Sequence, residues 1–185
     1  MTSNSRSRLA VTRPPDRADV LKRIAWLSVQ TTLYRFAPVP FHPFRAMLLR
    51  AFGATIEGKV YPYPTARVWA PWNLTMRSGS TLGPGVECYN VAPVMLGEGA
   101  TVSQRAFLCT ASHDYDDPSM PLVTAPIHVG RSAWIAAEAF VAPGVVVGEG
   151  AVALARAVVT RDVSAWSVVA GNPATQVRTR KPRHD

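Results

Sequence analysis

His113 is the residue whose type and position in this chain best suit it to move a proton. Histidine titrates near neutral pH, so an imidazole can take the proton of a hydroxyl as that hydroxyl attacks an acyl carbon. The attack builds an oxyanion, which needs donors close by, from backbone N–H groups or an amide. Position separates His113 from His42, His128 and His184. It closes the step Leu108-Cys109-Thr110-Ala111-Ser112-His113, after which residues 114–126 abandon a pattern that the chain otherwise keeps. The adjacent carboxylates of Asp116 and Asp117 and three prolines predict a loop there. Loops on rigid scaffolds are where chemistry tends to be placed. Asp114, Asp116, Glu138 or a backbone carbonyl could orient the second ring nitrogen, and the sequence leaves that choice open.

The pattern that His113 interrupts is a six-residue repeat. Its leading positions are Leu96, Val102 and Leu108, then Val129, Ile135, Val141, Val147, Ala153 and Val159, and eight of these nine are Val, Ile or Leu. Four residues after each lies a small or β-branched side chain: Ala100, Ala106, Ser112, Ala133, Ala139, Val145, Ala151, Ala157 and Val163. A helix would repeat every 3.6 residues and a simple strand every two. A period of six, with one bulky and one small inward residue, predicts short strands and tight turns coiling round a narrow core. Ile56, Val68, Leu74, Met76, Leu82 and Cys88 extend the coils backwards, with a two-residue slip between Cys88 and Leu96. The repeats therefore span 53–172.

Residues 1–52 read differently. Apolar positions from Asp19 to Phe36 predict a basic, Trp-bearing helix ended by Pro38, Pro40 and Pro43, and a second short helix runs from Pro43 to Phe52. These helices could cap the open end of the coils, pad a subunit interface or lie on a membrane surface. A basic tail, 173–185, follows the repeats. The net charge of +8 is concentrated at the ends, from Arg6, Arg8, Arg13, Arg17, Lys22 and Arg23 to Arg178, Arg180, Lys181 and Arg183. It favours an anionic partner. No groove-reading or base-stacking motif accompanies it, which argues against nucleic acid. With 48% hydrophobic and 17% charged residues, the chain has the composition of a folded domain. Cys88 and Cys109 have no metal-ligand spacing and read as small apolar residues of a reduced compartment. No apolar signal segment or membrane-spanning run is visible, so a cytoplasmic protein is expected, peripheral at most to the inner face of a membrane.

The hexads, with Ala-Pro-Ile-His-Val-Gly, Ala-Trp-Ile, Val-Ala-Pro-Gly-Val, Val-Val-Thr-Arg-Asp-Val and Ala-Gly-Asn-Pro-Ala in that order after Leu-Cys-Thr-Ala-Ser-His-Asp-Tyr, resemble the hexapeptide-repeat acyltransferases. Within these, the chain looks most like the colanic acid biosynthesis acetyltransferases, relatives of the maltose, galactoside and nodulation-factor enzymes. The resemblance implies an all-β left-handed parallel β-helix, a homotrimer with sites between subunits, and acetyl transfer from acetyl-CoA to a sugar hydroxyl. Such a sugar would be free or lipid-linked, in surface polysaccharide synthesis. It implies further that His113 is the base, that Asn90 faces the same cleft, and that no metal takes part. Ala137, Ala155 and Thr160 would line the pantetheine groove, with Arg178 and Arg180 at the phosphates. Leu154 and Arg156 stand where relatives commonly have glycine, and Ala136 does so after Trp-Ile. These departures leave a non-catalytic trimeric scaffold as the alternative. A zinc hydratase on such a fold needs three histidine ligands, and only His113 and His128 lie within the repeats. Tyr61, Tyr63, Trp69 and Trp72 of the first coils could stack on a sugar or pack at an interface.

Overall fold

In the computed structural model, which describes residues 8–12 and 16–181, the chain from Thr55 to Ala170 winds into a parallel, left-handed β-helix with three faces. Arg6, Arg13, Arg183 and His184 lie outside the described residues. On one face Ile56, Met76, Leu96, Val129 and Val147 stack in register. On the second Pro62, Leu82, Val102, Ile135, Ala153 and Val169 do so. The third stacks Val68, Cys88, Leu108, Val141 and Val159. Between the faces the small residues Ala100, Ala106, Ala133, Ala139, Ala151 and Ala157 are wholly or almost wholly buried at the corners. A larger side chain there would overfill a core whose middle already holds Leu, Ile and Val.

The early coils are regular in a way the six-residue period hides. Ile56 pairs with Met76 and Met76 with Leu96, an advance of twenty residues per coil, against eighteen from Val129 to Val147. The two extra residues fall each time at the corner after the third face, between Val68 and Met76 and again between Cys88 and Leu96. On the next coil that corner carries the whole excursion from Thr110 to Ile127. The chain leaves the coil earlier than the repeat predicts. Ala111–His113 is already a strand of the excursion, and Ser112, counted as an inward corner residue, is exposed.

The helical segment closes the N-terminal end. Helix α1 (Arg17–Val29) is capped by the Asp16 carboxylate, which accepts from Asp19 N, and runs through a π-turn at Gln30–Tyr34. Helix α2 (His42–Ala51) follows the proline linker. A first coil exposes an edge of unpaired backbone groups, and helical side chains meet it face by face. Trp26 donates to Val68 O (2.7 Å) while Gln30 accepts from Val68 N (2.7 Å). The buried Arg45 donates to Pro62 O (2.7 Å), and Arg50 to Ile56 O (3.2 Å). Arg45 also donates to Ala37 O and Pro38 O, so one guanidinium fixes the linker and the coil edge together. At the far end Thr175–Thr179, expected in the tail, pairs antiparallel with Ser167–Ala170 and extends the second face.

Candidate active site

The excursion is a β-hairpin. Ala111–His113 and Leu122–Thr124 pair antiparallel with His113 opposite Leu122, and the N-terminal residues Ala10–Val11 add a third strand on the outer side. Its tip is ordered by its own polar groups. Asp117 accepts from the backbone N and the hydroxyl of Ser119 (both 2.8 Å), bonds that hold its carboxyl below the usual carboxylate range. Met120 N donates to Asp117 O (2.8 Å). Met120 is thereby held at a φ of 45°, which aims its carbonyl at His113.

That carbonyl is the orienting group. His113 Nδ1 lies 2.7 Å from Met120 O. A carbonyl oxygen can only accept, so Nδ1 carries the hydrogen and the neutral ring keeps its lone pair on Nε2. The ring is exposed, so Nε2 can meet a substrate. Two of the three carboxylates weighed for this task are engaged elsewhere. Asp114 accepts from Asp116 N within the loop, and Glu138 binds both Arg105 and Arg156.

Those last three residues form a ladder at the corner between the second and third faces. Arg105, Glu138 and Arg156 occupy the same step of successive coils, all in the left-handed region with φ of 56°, 60° and 61°. A side chain there is strained by its backbone. In this column opposite charges hold it: the two guanidinium groups lower the Glu138 carboxyl below its ordinary value, and Glu138 raises that of Arg156. Arg156 is thus drawn along the corner by Glu138 at 2.6 Å.

Asn90, expected beside the reacting groups, is fully buried in the wide corner. Its Oδ1 accepts from Ala70 N (3.0 Å) and its Nδ2 donates to Ala70 O (2.6 Å). Both ends of the amide are spent on the preceding coil. Asn73 and Thr110, which the hexad pattern does not reveal, complete this polar brace. Asn73 Nδ2 donates to Val91 O (2.7 Å), and the Thr110 hydroxyl accepts from Ala92 N (3.0 Å) and donates to Tyr89 O (2.9 Å). An irregular corner leaves backbone groups without ladder partners, and short polar side chains supply them.

The proposed coenzyme residues do not share one corner. Ala137 and Ala155 stack on the ladder corner, half-buried and exposed respectively. Thr160 is exposed on the hairpin corner, two coils beyond Cys109 in the Leu108–Val141–Val159 column. Arg178 is exposed on the closing strand, opposite Val168. Arg180 instead folds back, donating to Gly150 O (3.1 Å) and Ser132 O (3.3 Å) beside a recess walled by Trp134 and Thr101. The early aromatics also part company. Tyr61 and Tyr63 pack edge-on against His42, whereas Trp69, Trp72 and Tyr89 wall a cavity of about 240 Å³. Arg23, Asp19, Asn73, Thr12 and Leu122 also line it, so it adjoins the residue opposite His113.

No protein-family profile matches the chain. The WcaF protein of Escherichia coli K12, named as a colanic acid biosynthesis acetyltransferase, is 36% identical over 162 residues, spanning 88% of this chain and 89% of its own. The chain belongs to the hexapeptide-repeat acetyltransferases. Solved members share the fold at lower identity. A hexapeptide-repeat acetyltransferase of Vibrio cholerae, crystallised with acetyl coenzyme A, superposes with a TM-score of 0.81 at 20% identity, covering 97% of this chain and all of the other. A maltose O-acetyltransferase of Clostridium difficile gives 0.79 at 19% identity over 90% of both chains.

Proposed function

We propose that the chain transfers an acetyl group from acetyl-CoA to a hydroxyl of a saccharide, with His113 as general base. The observation that carries this is the Nδ1–Met120 O bond, which leaves Nε2 as the acceptor of a proton on an exposed ring. In the reaction the acceptor oxygen attacks the thioester carbon while its proton passes to Nε2. The tetrahedral intermediate then expels the thiolate, which recovers that proton from the imidazolium and leaves as free coenzyme A. Ala137, Ala155, Thr160, Arg178 and Arg180 remain the candidate coenzyme residues, and their spread over separate corners supports a groove completed by a neighbouring subunit, as in a homotrimer. Asn90 is proposed to hold the corner from which the hairpin springs. The saccharide class rests on the names of the relatives, on maltose and colanic acid. The cavity walled by Trp69, Trp72 and Tyr89 adjoins the hairpin, with Arg23 over the Trp69 ring at 3.5 Å and Lys22 over the Trp72 ring at 4.3 Å, so a sugar there would meet cations as well as rings.

A carrier-linked acceptor would bring the enzyme to the cytoplasmic membrane surface. Among the described residues no helix is long and apolar enough to cross a membrane. Yet α1 turns Leu21, Ile24 and Leu27 outward, all more than half exposed, beside the exposed Arg17. That face supports peripheral contact.

The decisive experiment measures thiol release from acetyl-CoA against a panel of sugars for wild type and His113→Ala. Acceptor-dependent release that falls by about 10²–10⁴-fold in the variant is expected for a lost general base. Equal rates in the two proteins would overturn the assignment. Absence of coenzyme binding in the wild type would favour a scaffold.

A further inference from the structure

The strand outside the hairpin is tethered at its other end. Val11 pairs with Val123 and Ala10 with Thr124; Thr12 N donates to Leu122 O (2.9 Å), and the Thr12 and Thr124 hydroxyls lie 2.7 Å apart. Two residues before Ala10, Arg8 reaches the body of the β-helix. Its guanidinium forms a two-pronged bond with Asp162, at 2.8 and 3.1 Å, and donates to Gly144 O at 2.6 Å. Asp162 is itself fixed, accepting from Val146 N (2.8 Å). The anchor is more than half buried on both sides, with side-chain exposures of 32% and 22%. A paired, two-pronged guanidinium–carboxylate bond holds direction as well as distance.

The placement gives this tether a purpose. Gly144 and Asp162 lie three residues beyond Val141 and Val159, just as Ala111 lies beyond Leu108, and those three leading residues stack in one column. The anchor therefore sits below the root of the hairpin on the same corner, two residues from Thr160. The arm rises from it and closes the open edge of Leu122–Thr124. Without the arm, the hairpin would be a two-stranded ribbon standing off the coil, and such ribbons are marginal alone. His113 and the Met120 carbonyl that sets its tautomer both depend on that ribbon's register.

We infer that Arg8 is a positioning residue: its bond to Asp162 straps the N-terminal arm across the hairpin and so holds His113 in its working orientation. This rests on His113 being the base. The arm touches no reacting atom; it acts through the hairpin.

The test compares Arg8→Ala, Arg8→Lys and His113→Ala in the full chain, by steady-state kinetics and by ¹⁵N NMR of the histidine rings. For Arg8→Ala, kcat should fall about 10- to 100-fold, the scale of a misplaced catalytic group. The KM for acetyl-CoA should stay within about twofold, because the coils remain intact. The His113 signal should change from the Nδ1–H tautomer to a mixture. Arg8→Lys, which keeps the charge but not the two-pronged geometry, should lie between. Arg8→Ala with wild-type kcat, or with lower thermal stability but an unchanged His113 tautomer, would overturn the strap. If His113→Ala is inactive while Arg8→Ala is fully active, the strap alone fails. If His113→Ala turns over normally, the base assignment fails and the strap loses its catalytic role.

Discussion

Asn90→Ala separates an amide that braces the fold from one that touches substrate. The side chain holds Ala70 by two hydrogen bonds, and both residues are buried, Ala70 at 3% exposure and Asn90 at 0%. The two ends are not equal. Ala70 O also accepts from Asn73 N (2.9 Å), so it keeps a partner when the amide is removed, whereas Ala70 N depends on Asn90. An orphaned buried donor costs about 1–3 kcal/mol and a lost second bond about 1 kcal/mol, so the substitution should destabilise by about 2–4 kcal/mol. That is a large part of the roughly 5–15 kcal/mol that holds a typical domain together. Urea unfolding at fixed protein concentration reads it as a lowered midpoint, the concentration being fixed because assembly shifts apparent stability. Thiol release per folded molecule, measured well below the transition, should fall far less than in His113→Ala. A variant with the wild-type midpoint but a kcat as low as that of His113→Ala would refute the reasoning, and would place the amide on the reacting groups.

Two further outcomes follow from the structure. The Glu138 carboxyl is held below its ordinary value by Arg156 and Arg105, so the ladder's contribution to stability is complete above the ordinary glutamate range and is lost as pH falls through the lowered value. The Tm difference between wild type and Glu138→Gln should therefore be constant above about pH 5 and shrink below it; a difference that grows on acidification would contradict the ladder. The outward face of α1 should bind vesicles of anionic lipid in a salt-sensitive manner, and Ile24→Gln with Leu27→Gln should weaken that binding. Equal sedimentation of both proteins with anionic and neutral vesicles would remove the membrane from the proposal.

Much of the architecture can be read from the chain because its signals are local and repeated. Val129, Ile135, Val141, Val147, Ala153 and Val159 face inward as their spacing requires, and the failure of the pattern after His113 marks the hairpin to within three residues. The wide corner is harder to see. The slip between Cys88 and Leu96 is visible, but only the stacking of coils shows that it repeats the slip between Val68 and Met76. Nothing local in Arg8, Thr12 or Met120 announces the hairpin, since their partners lie at Asp162, Thr124 and His113.

The sequence by itself determined the coil and its core, and marked the interruption where the proposed site lies. A six-residue period of bulky and small apolar residues has few packed solutions, and a histidine at its main interruption has few roles. Tertiary structure alone decided what that histidine can do. The tautomer follows from a backbone carbonyl on the opposite arm of a hairpin, and the hairpin's footing from an ion pair between residues 8 and 162. Asn90 follows the same rule: the family resemblance implied a place in the cleft, and its two bonds to Ala70 come into view only with the fold. Apolar burial is additive along a chain and therefore legible in it. The direction of a hydrogen bond depends on which distant atoms the fold brings within three ångströms, and no spacing in the sequence encodes that.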